Sequence, residues 1–180
     1  MIYELPVGHG RRFLPQAKRA IDLAIGGWEI SSIVNMRSGE PFTLSYTAPA
    51  RSQVAPFLTL LGFNAFRPNL SGDPVTPKAQ RSVNSYLNRN TVSIPPYYQP
   101  FGNAGRNISR GYAFYQMDLG LFKSFTLTER FKSQFRAEAF NLFNKSNFIA
   151  PNANISSSGF GAITSTYDAR RLQLALKLQF

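Results

Sequence analysis

The end of the chain alternates apolar and polar residues without interruption, from Arg170 to Phe180. A period of two predicts a β-strand with one apolar and one polar side. The apolar side comprises Leu172, Leu174, Leu176, Leu178 and Phe180. About ten residues at about 3.3 Å each, tilted by about 45°, rise roughly 23 Å, close to the apolar band of a membrane β-barrel. A strand of a soluble β-sandwich alternates in the same way, so this segment alone leaves both folds open.

The same alternation recurs elsewhere in the chain. Strands are expected near residues 1–5, 27–38, 114–125, 130–143 and 170–180. Gly26 and Gly27 break the chain before the second of these, whose apolar side comprises Trp28, Ile30, Val34 and Met36. Trp28 at the start of a strand is a candidate interfacial anchor of a membrane protein. A half-buried core tryptophan would occupy the same position in a soluble fold.

Two of the expected strands carry irregularities in their pattern. The apolar side of the third strand, from Tyr115 to Leu121, slips at Phe122 and Lys123. A β-bulge or the edge of the membrane would account for that slip.

The fourth segment could also be an amphipathic helix. Its apolar residues also recur at a spacing of four, which suits an amphipathic helix, at Phe131, Phe135, Ala139 and Phe143. Periodicity does not decide between strand and helix there.

The connections between these segments differ in length. A basic connector, Gly8–Ala24, follows the first strand, and a short turn, Thr126–Arg130, joins the third strand to the fourth. The stretches 39–113 and 144–169 are long, irregular and rich in Pro, Asn, Ser and Gly. Loops of that length are uncommon in compact soluble domains, whereas outer-membrane barrels have long outer loops and short periplasmic turns. The pattern therefore predicts up-and-down spanning strands, the last of which descends to the periplasmic side.

Composition favours an all-β protein. The 180 residues include 16 Phe and 8 Tyr, only 16% are charged, and Cys is absent. A high content of aromatic residues favours strands, and the lack of Cys excludes a disulfide scaffold and thiolate metal sites. No apolar run is long enough for a membrane helix. The N-terminus has no secretory signal, so either the protein is cytosolic or the chain is the tail of a longer, exported one.

The net charge of +11 raises the question of nucleic-acid binding. The basic residues between Arg51 and Arg110 are spaced singly through a loop-like stretch and form no basic cluster. We therefore expect no nucleic-acid partner. A solvent-facing basic loop that contacts anionic ligand, lipid or lipopolysaccharide is the better interpretation.

No set of residues predicts catalysis, a cofactor or a metal. His9 is the only histidine, and it lies in the basic connector, a poor place for the base of a catalytic triad. The carboxylates of Asp118, Glu129 and Glu138 are expected to form lumen-side salt bridges with neighbours such as Lys132 and Arg136. The glycines of GNAGRN lack the following helix and Lys of a phosphate loop and are expected to be turn residues. The prediction is that the chain is not an enzyme.

Ordered motifs give the chain a family resemblance. They are YELP (3–6), GGWEIS (26–31), SGEPFT (38–43), GNAGRN (102–107), DLGLFKSF (118–125), FRAEAFNLFN (135–144), FGAITST (160–166) and the strand that ends at Phe180. In this order they resemble the C-terminal end of TonB-dependent outer-membrane receptors of the Oar-like type, which carry a carboxypeptidase-regulatory-like domain. The resemblance covers nearly the whole chain. GYAFYQ (111–116) departs from it, since such receptors often have a Gly-Pro-Gly-like turn there.

The resemblance implies a fold and a set of partners. The chain would be a partial antiparallel transmembrane β-barrel, about five of the twenty-two strands of such a receptor, with long outer loops. Plug domain and signal peptide would be absent, so the chain would be a C-terminal fragment. The implied partners are outer-membrane lipid and lipopolysaccharide, the barrel-assembly machinery, the rest of the barrel and plug, and the TonB complex through the missing N-terminal part.

The resemblance also implies functions for the chain and for its last strand. Leu172, Leu174, Leu176, Leu178 and Phe180 match the pattern by which outer-membrane proteins are recognised for assembly. The receptor would take up an unknown substrate in an energy-coupled step, and the chain alone would transport nothing because its strands cannot close a barrel. The alternative function is that of a structural or adhesive outer-membrane barrel without transport. A soluble basic β-domain and an enzyme are the remaining, less favoured alternatives.

Overall fold

The structure is a computed structural model that describes residues 1–47, 66–126 and 131–180. Three predictions concern residues outside these ranges: most of the turn Thr126–Arg130, the carboxylate of Glu129, and the basic residue Arg51. The described residues form nine strands, one α-helix and one 3₁₀ turn. The strands are β1 (Ile2–Glu4), β2 (Trp28–Arg37), β3 (Pro41–Phe42), β4 (Asn69–Leu70), β5 (Val92–Ser93), β6 (Ser109–Arg110), β7 (Phe114–Thr126), β8 (Lys132–Phe140) and β9 (Arg171–Gln179).

The long strands form one open antiparallel sheet with the order β1-β2-β7-β8-β9. Neighbours in the sheet follow one another in this up-and-down order, as the alternation of short and long connections predicts. β8 pairs with β9 over its whole length, from Lys132 opposite Gln179 to Phe140 opposite Arg171. The edges of the sheet are β1 and β9. The fold is therefore all-β and a partial barrel with long connections.

The register settles two alternatives left open by the sequence pattern. β7 and β8 pair residue by residue from Leu119 opposite Ala139 to Thr126 opposite Lys132, so the bulge considered at Phe122 and Lys123 is absent. The helical alternative for the fourth segment is also wrong, because β8 is extended and bonded on both sides. The strand is shorter than expected, since it ends at Phe140 and the turn at Asn141 has a positive φ of 53°.

The basic connector contains a helix that the sequence pattern did not predict. The helix α1 (Arg19–Ile25) is seven residues long, and Gly26 caps it by donating its N–H to the carbonyl of Asp22. Gly27 then adopts a φ of +67°, and a Cβ at this position would lie 2.5 Å from the carbonyl oxygen of Ser124. Only glycine allows this turn and the close approach to β7. The predicted chain break before Trp28 is confirmed.

The described chain divides into two compact units. The strand unit comprises Met1–Met36, Tyr115–Ser146 and Asp168–Phe180. The loop unit comprises Arg37–Phe114 and Asn147–Tyr167, which is nearly all of the two long connections. Chain direction shows that both connections leave the five-stranded sheet at the end where β2 and β8 finish.

The loop unit has a hydrophobic core of its own, although its sequence predicts irregular loops. Leu44 is fully buried, and Tyr46 and Tyr86 are nearly so. The rest of this core comprises Phe66, Leu87, Val92, Ile155, Phe160 and Ile163. The loop unit has little regular structure, since its two small sheets, β3 with β6 and β4 with β5, have strands of only two residues. Packing of scattered aromatic and aliphatic side chains therefore holds these connections together.

Hydrogen bonds and tight glycine contacts complete the loop unit. The hydroxyl groups of Tyr46 and Tyr86 donate to the carbonyls of Pro100 and Arg110, at 2.6 and 2.7 Å. A Cβ on Gly39 would lie 1.9 Å from the carbonyl oxygen of Gly111, so the SGEPFT motif requires glycine where the backbones meet. These contacts give the long connections a defined conformation.

Candidate functional site

One side of the five-stranded sheet carries the apolar residues that the sequence pattern assigns to it. Leu172, Leu174 and Leu176 lie opposite Ala139, Ala137 and Phe135 of β8. Directly opposed residues of antiparallel strands share a face, so the same side continues onto Leu119 and Leu121 of β7. The β9 leucines are between 55% and 72% exposed in the described chain. A broad exposed apolar sheet face is the surface that a spanning barrel presents to lipid.

Lys123 lies on this apolar face, near the end where β2 begins. The side chain is 3% exposed, and its ammonium nitrogen lies 5.1 Å from the ring centre of Trp28 and 5.2 Å from that of Phe125. The ammonium also donates to the carbonyl of Gly26. Cation–π contacts and a carbonyl compensate the charge on an otherwise apolar side. Lys123, rather than a bulge, explains why the alternation slips here.

Trp28 is placed as an amphipathic residue at the start of β2. Its indole Nε1 donates to the carbonyl of Ala24 at 3.2 Å, and the ring is half-buried beside Lys123. The ring therefore has an apolar body and a satisfied polar edge at one end of the strand. That arrangement is the one an interfacial tryptophan adopts, and the anchoring role stays a prediction.

The opposite side of the sheet is polar, but its predicted ion pairs are wrong where the structure describes them. Asp118 accepts hydrogen bonds from the side chain of Gln116 and the main chain of Asn141, both at 2.9 Å. Arg136 donates to Gln134 at 3.1 Å and lies 5.1 Å from the ring centre of Phe122. Within the described ranges, the ion pairs join Arg11–Glu4, Arg37–Glu40 and Arg171–Asp168. Asp118 and Arg136 therefore have amide groups and an aromatic ring as partners, where oppositely charged side chains were expected.

The terminal residue lies just beyond the last strand. β9 ends at Gln179, and Phe180 is 94% exposed with its ring 6.1 Å from that of Phe131. The predicted assembly signal is thus an exposed edge strand with an apolar side, followed by an exposed aromatic residue. Its recognition by other proteins remains a prediction.

A cluster around Arg37 joins distant parts of the loop unit. The guanidinium pairs with Glu40 at 2.9 Å and donates to the Tyr167 hydroxyl at 2.9 Å. The same hydroxyl donates to Glu40 at 3.2 Å. The Arg37 guanidinium also lies 4.5 Å from the ring centre of Phe114, which meets Tyr167 edge-on at 4.9 Å. Sequence reasoning missed this cluster, because only the Arg37–Glu40 spacing is local.

The Arg37 cluster is a clamp and not a ligand pocket. The cavity beside it measures about 10 Å³, which is room for one water molecule at most. Arg37 has its hydrogen-bonding and stacking partners within the chain. Its role is to hold the end of β2 against Tyr167, which lies 130 residues later.

Several basic residues expected to face ligand also donate hydrogen bonds within the loop unit. Three guanidinium groups bond main-chain carbonyls at 3.0 to 3.1 Å: Arg81 to Thr76, Arg89 to Ile155 and Arg110 to Gly39. Arg89 and Arg110 are nevertheless exposed, as are Arg67, Lys78 and Arg106. Contact of this basic surface with an anionic ligand stays a prediction.

The remaining candidates are structural. The main-chain N–H of the exposed residue His9 donates to the Asp22 carboxylate. In the GNAGRN motif, Asn103 bonds the main chain of Leu70, and Asn107 at a φ of 53° bonds Thr43. The turn role expected for its glycines stays a prediction. Among the described residues there is no cluster of three or more metal-ligating side chains.

Helices in the described ranges are too short or too polar to cross a membrane.

Comparison with known proteins identifies the family. Residues 1–173 match the family model described as an outer membrane beta barrel domain. No curated protein and no solved structure matches the chain significantly. The matched range covers every strand of the sheet except most of β9. The up-and-down sheet, with one exposed apolar face and one polar face, agrees with that family. The chain belongs to the outer membrane beta barrel domains, and its place is the outer membrane.

Proposed function

We propose that the chain forms part of the barrel wall and two outer connections of a TonB-dependent receptor of the Oar-like type. The ordered motifs from YELP to the terminal strand support this assignment. The open sheet supports it too, because β1 and β9 both need further strands before a barrel can close. Such a receptor takes up a substrate in an energy-coupled step.

The observation that carries the proposal is the packed core of the loop unit. Leu44, Tyr46 and Tyr86 are buried in connections that begin and end at the sheet end where outer loops belong. A receptor needs binding loops on a stable scaffold, since a preformed surface loses less conformational entropy on binding. Long connections that served only as spacers would gain nothing from such a core.

The proposed mechanism divides the work between this chain and the rest of the receptor. Outer loops and plug bind the substrate, and the TonB complex pulls on the plug so that the substrate passes through the barrel. The polar side of the sheet, with Asp118, Arg136 and Glu138, would line the passage. The chain itself would contribute neither a catalytic group nor a cofactor.

A binding experiment tests the coupling to TonB. The complete barrel is purified from outer membranes, and the purified periplasmic domain of TonB serves as the probe. We expect saturable binding that is lost when the sequence upstream of the plug is removed. A barrel that carries no plug, or that fails to bind the probe, would contradict the receptor assignment.

A structural or adhesive barrel is the second candidate. Its support is an exposed aromatic group in the loop unit: Tyr97, Tyr98 and Phe101 are 56%, 73% and 64% exposed. Solvent-exposed aromatic side chains are frequent at contact surfaces. Adhesion of cells with and without the Y97S/Y98S/F101S substitutions separates the candidates. Loss of adhesion together with unchanged TonB binding would show both functions in one protein.

The last strand has a proposed function in biogenesis. β9 is a sheet edge, and an edge strand can be recognised through its free main-chain groups and alternate side chains. The barrel-assembly machinery would bind Leu172, Leu174, Leu176, Leu178 and Phe180. After insertion the same leucines would face lipid, with lipopolysaccharide as the neighbour of the outer loops.

A further inference from the structure

We propose that the basic connector docks on the anionic phospholipid headgroups of the inner leaflet. This inference rests on membership of the outer-membrane barrel family and not on transport. The connector leaves the sheet at the end where β2 begins, opposite to the end at which the two long connections leave. In outer-membrane barrels that end is periplasmic, and its membrane surface is the inner leaflet.

The connector exposes apolar side chains that the described strand unit does not cover. Phe13, Leu14 and Ile21 are 54%, 55% and 48% exposed. No residue of α1 is fully buried, and its Leu23 and Ile25 are only half-buried. A helix this short gains its stability from packing of an apolar side, so an additional surface is expected to cover it.

Positive charge flanks these apolar residues. The connector and α1 contain four basic residues and one carboxylate: Arg11, Arg12, Lys18 and Arg19 against Asp22. The carboxylate already accepts a hydrogen bond from the main chain of His9, and Arg11 pairs with Glu4 at 3.0 Å. Arg12 and Lys18 are exposed on the surface. Basic residues beside aromatic and aliphatic ones characterise segments that lie in the headgroup layer.

Two contacts tie the helix to the lipid-facing side of the sheet. The Trp28 indole donates to the carbonyl of Ala24, and the Lys123 ammonium donates to the carbonyl of Gly26. Lys123 lies on the same side as Leu121 and Leu174, and the Trp28 ring lies beside its ammonium. The C-terminal end of α1 is thereby held where the apolar face meets the periplasmic rim. The proposed docking surface is continuous with the surface that contacts lipid.

The contribution of charge can be measured as a change in docking. One basic residue near an anionic surface contributes about fivefold to the ratio of docked to free segment. Removing Arg12 and Lys18 together is therefore expected to lower that ratio by about twenty-fivefold.

Fluorescence quenching in reconstituted membranes tests the proposal. The complete barrel, carrying Q16C labelled with bimane, is placed in phosphatidylethanolamine vesicles with or without phosphatidylglycerol and with brominated acyl chains. Gln16 is exposed between Leu14 and Lys18, and the described chain has no native Cys. The matched control label is Q80C, at an exposed position of the loop unit. Heat-modifiable migration in gels verifies that every variant is folded.

We expect brominated lipid to quench the label at position 16 more than the label at position 80. Quenching should increase with phosphatidylglycerol and decrease in R12Q/K18Q, whereas K78Q/R106Q, which removes two exposed charges from the loop unit, should not change it. Equal quenching at both positions would overturn the proposal. So would quenching that ignores both phosphatidylglycerol and R12Q/K18Q. Protection from aqueous iodide without quenching by lipid would also overturn it, because the barrel itself would then cover the connector.

Discussion

The ammonium of Lys123 lies 5.1 Å from the ring centre of Trp28, on the side of the sheet that presents most of the Leu, Ala and Phe residues of β7, β8 and β9. The residues come from β7 and β2, and the Gly26 carbonyl between α1 and β2 accepts the hydrogen bond of the same ammonium. One lysine therefore joins strand, helix end and interfacial ring. Its charge is tolerable near the rim of the membrane and would be costly at the midplane.

Replacing Lys123 with Ala should destabilise the complete barrel by about 1–3 kcal/mol, because a cation–π contact and a charge-assisted hydrogen bond are lost. Urea unfolding in vesicles, followed by heat-modifiable migration, measures the change. K177A is the matched control, since Lys177 is an exposed lysine of β9. Equal effects of the two substitutions would show that the Trp28 contact contributes nothing.

Substitution of Gly39 by Ala should destabilise the loop unit by about 1–3 kcal/mol, because the new methyl group meets the carbonyl of Gly111. Protease susceptibility of the loop unit in the folded barrel provides the measurement. G72A is the control, because the nearest atom to a Cβ there is 3.5 Å away. If G39A and G72A resist protease equally, the backbone approach at Gly39 is looser than described.

Alkaline pH should destabilise the loop unit. Burial raises the pKa of Tyr46 and of Tyr86, the latter opposed in part by nearby Arg81. A phenol whose folded pKa is raised stabilises the fold below its unfolded pKa, and this contribution is lost as pH rises through the folded pKa. The loss is therefore expected above about pH 10.

The measurement compares protease resistance of the loop unit across that range in the unmodified protein and in Y46F/Y86F. The double variant should be less stable at neutral pH by about 1 kcal/mol for each lost hydrogen bond. It should also have a shallower alkaline decline. An identical decline in both proteins would exclude these two tyrosines as its source.

Arg37 should be replaceable by neither Met nor Lys without loss. R37M removes an ion pair, a hydrogen bond and an arginine–aromatic contact, with an expected cost of about 1–3 kcal/mol. R37K should recover only a part of the lost stability. The ammonium of Lys cannot reproduce the two-sided hydrogen bonding of the planar guanidinium or its stacking on Phe114. Thermal unfolding measures both variants against R106M, at an exposed position. Full rescue by Lys would show that charge alone matters.

Deletion of Phe180 should reduce the amount of assembled barrel several-fold in cells while leaving the stability of the purified barrel nearly unchanged. The residue lies outside β9 and is almost fully exposed, so it contributes little to the folded wall. Q179A is the control, because it changes the neighbouring residue and should leave the amount of assembled barrel unchanged. Undiminished assembly would remove the recognition role of the terminal residue.

The long strands were predictable because their signal is local. Each strand in a barrel wall has one side in lipid and one side in a polar lumen, so its own residues carry the period of two. The positions of β2, β7 and β9, the polar and apolar sides and the chain break at Gly26 and Gly27 follow from neighbouring residues. The period of β8 also fitted a helix, and only its pairing on both sides showed it to be a strand. Lys123 and Phe122 interrupt the pattern because their partners, Trp28 and Arg136, lie on other strands.

Only tertiary structure decided the rest. The core of the loop unit joins residues as distant as Leu44 and Ile163, and the Arg37 cluster includes Tyr167. No local sequence pattern therefore predicts the core or the cluster. Tertiary hydrogen bonds likewise join Arg81, Arg89 and Arg110 to main-chain carbonyls, which no local pattern indicates. The amino-acid sequence by itself determined amphipathic strands separated by short and long connections, since lipid and lumen act on every second residue. Long-range packing determined the conformation of the connections, because their stabilising contacts join segments that are far apart in the chain.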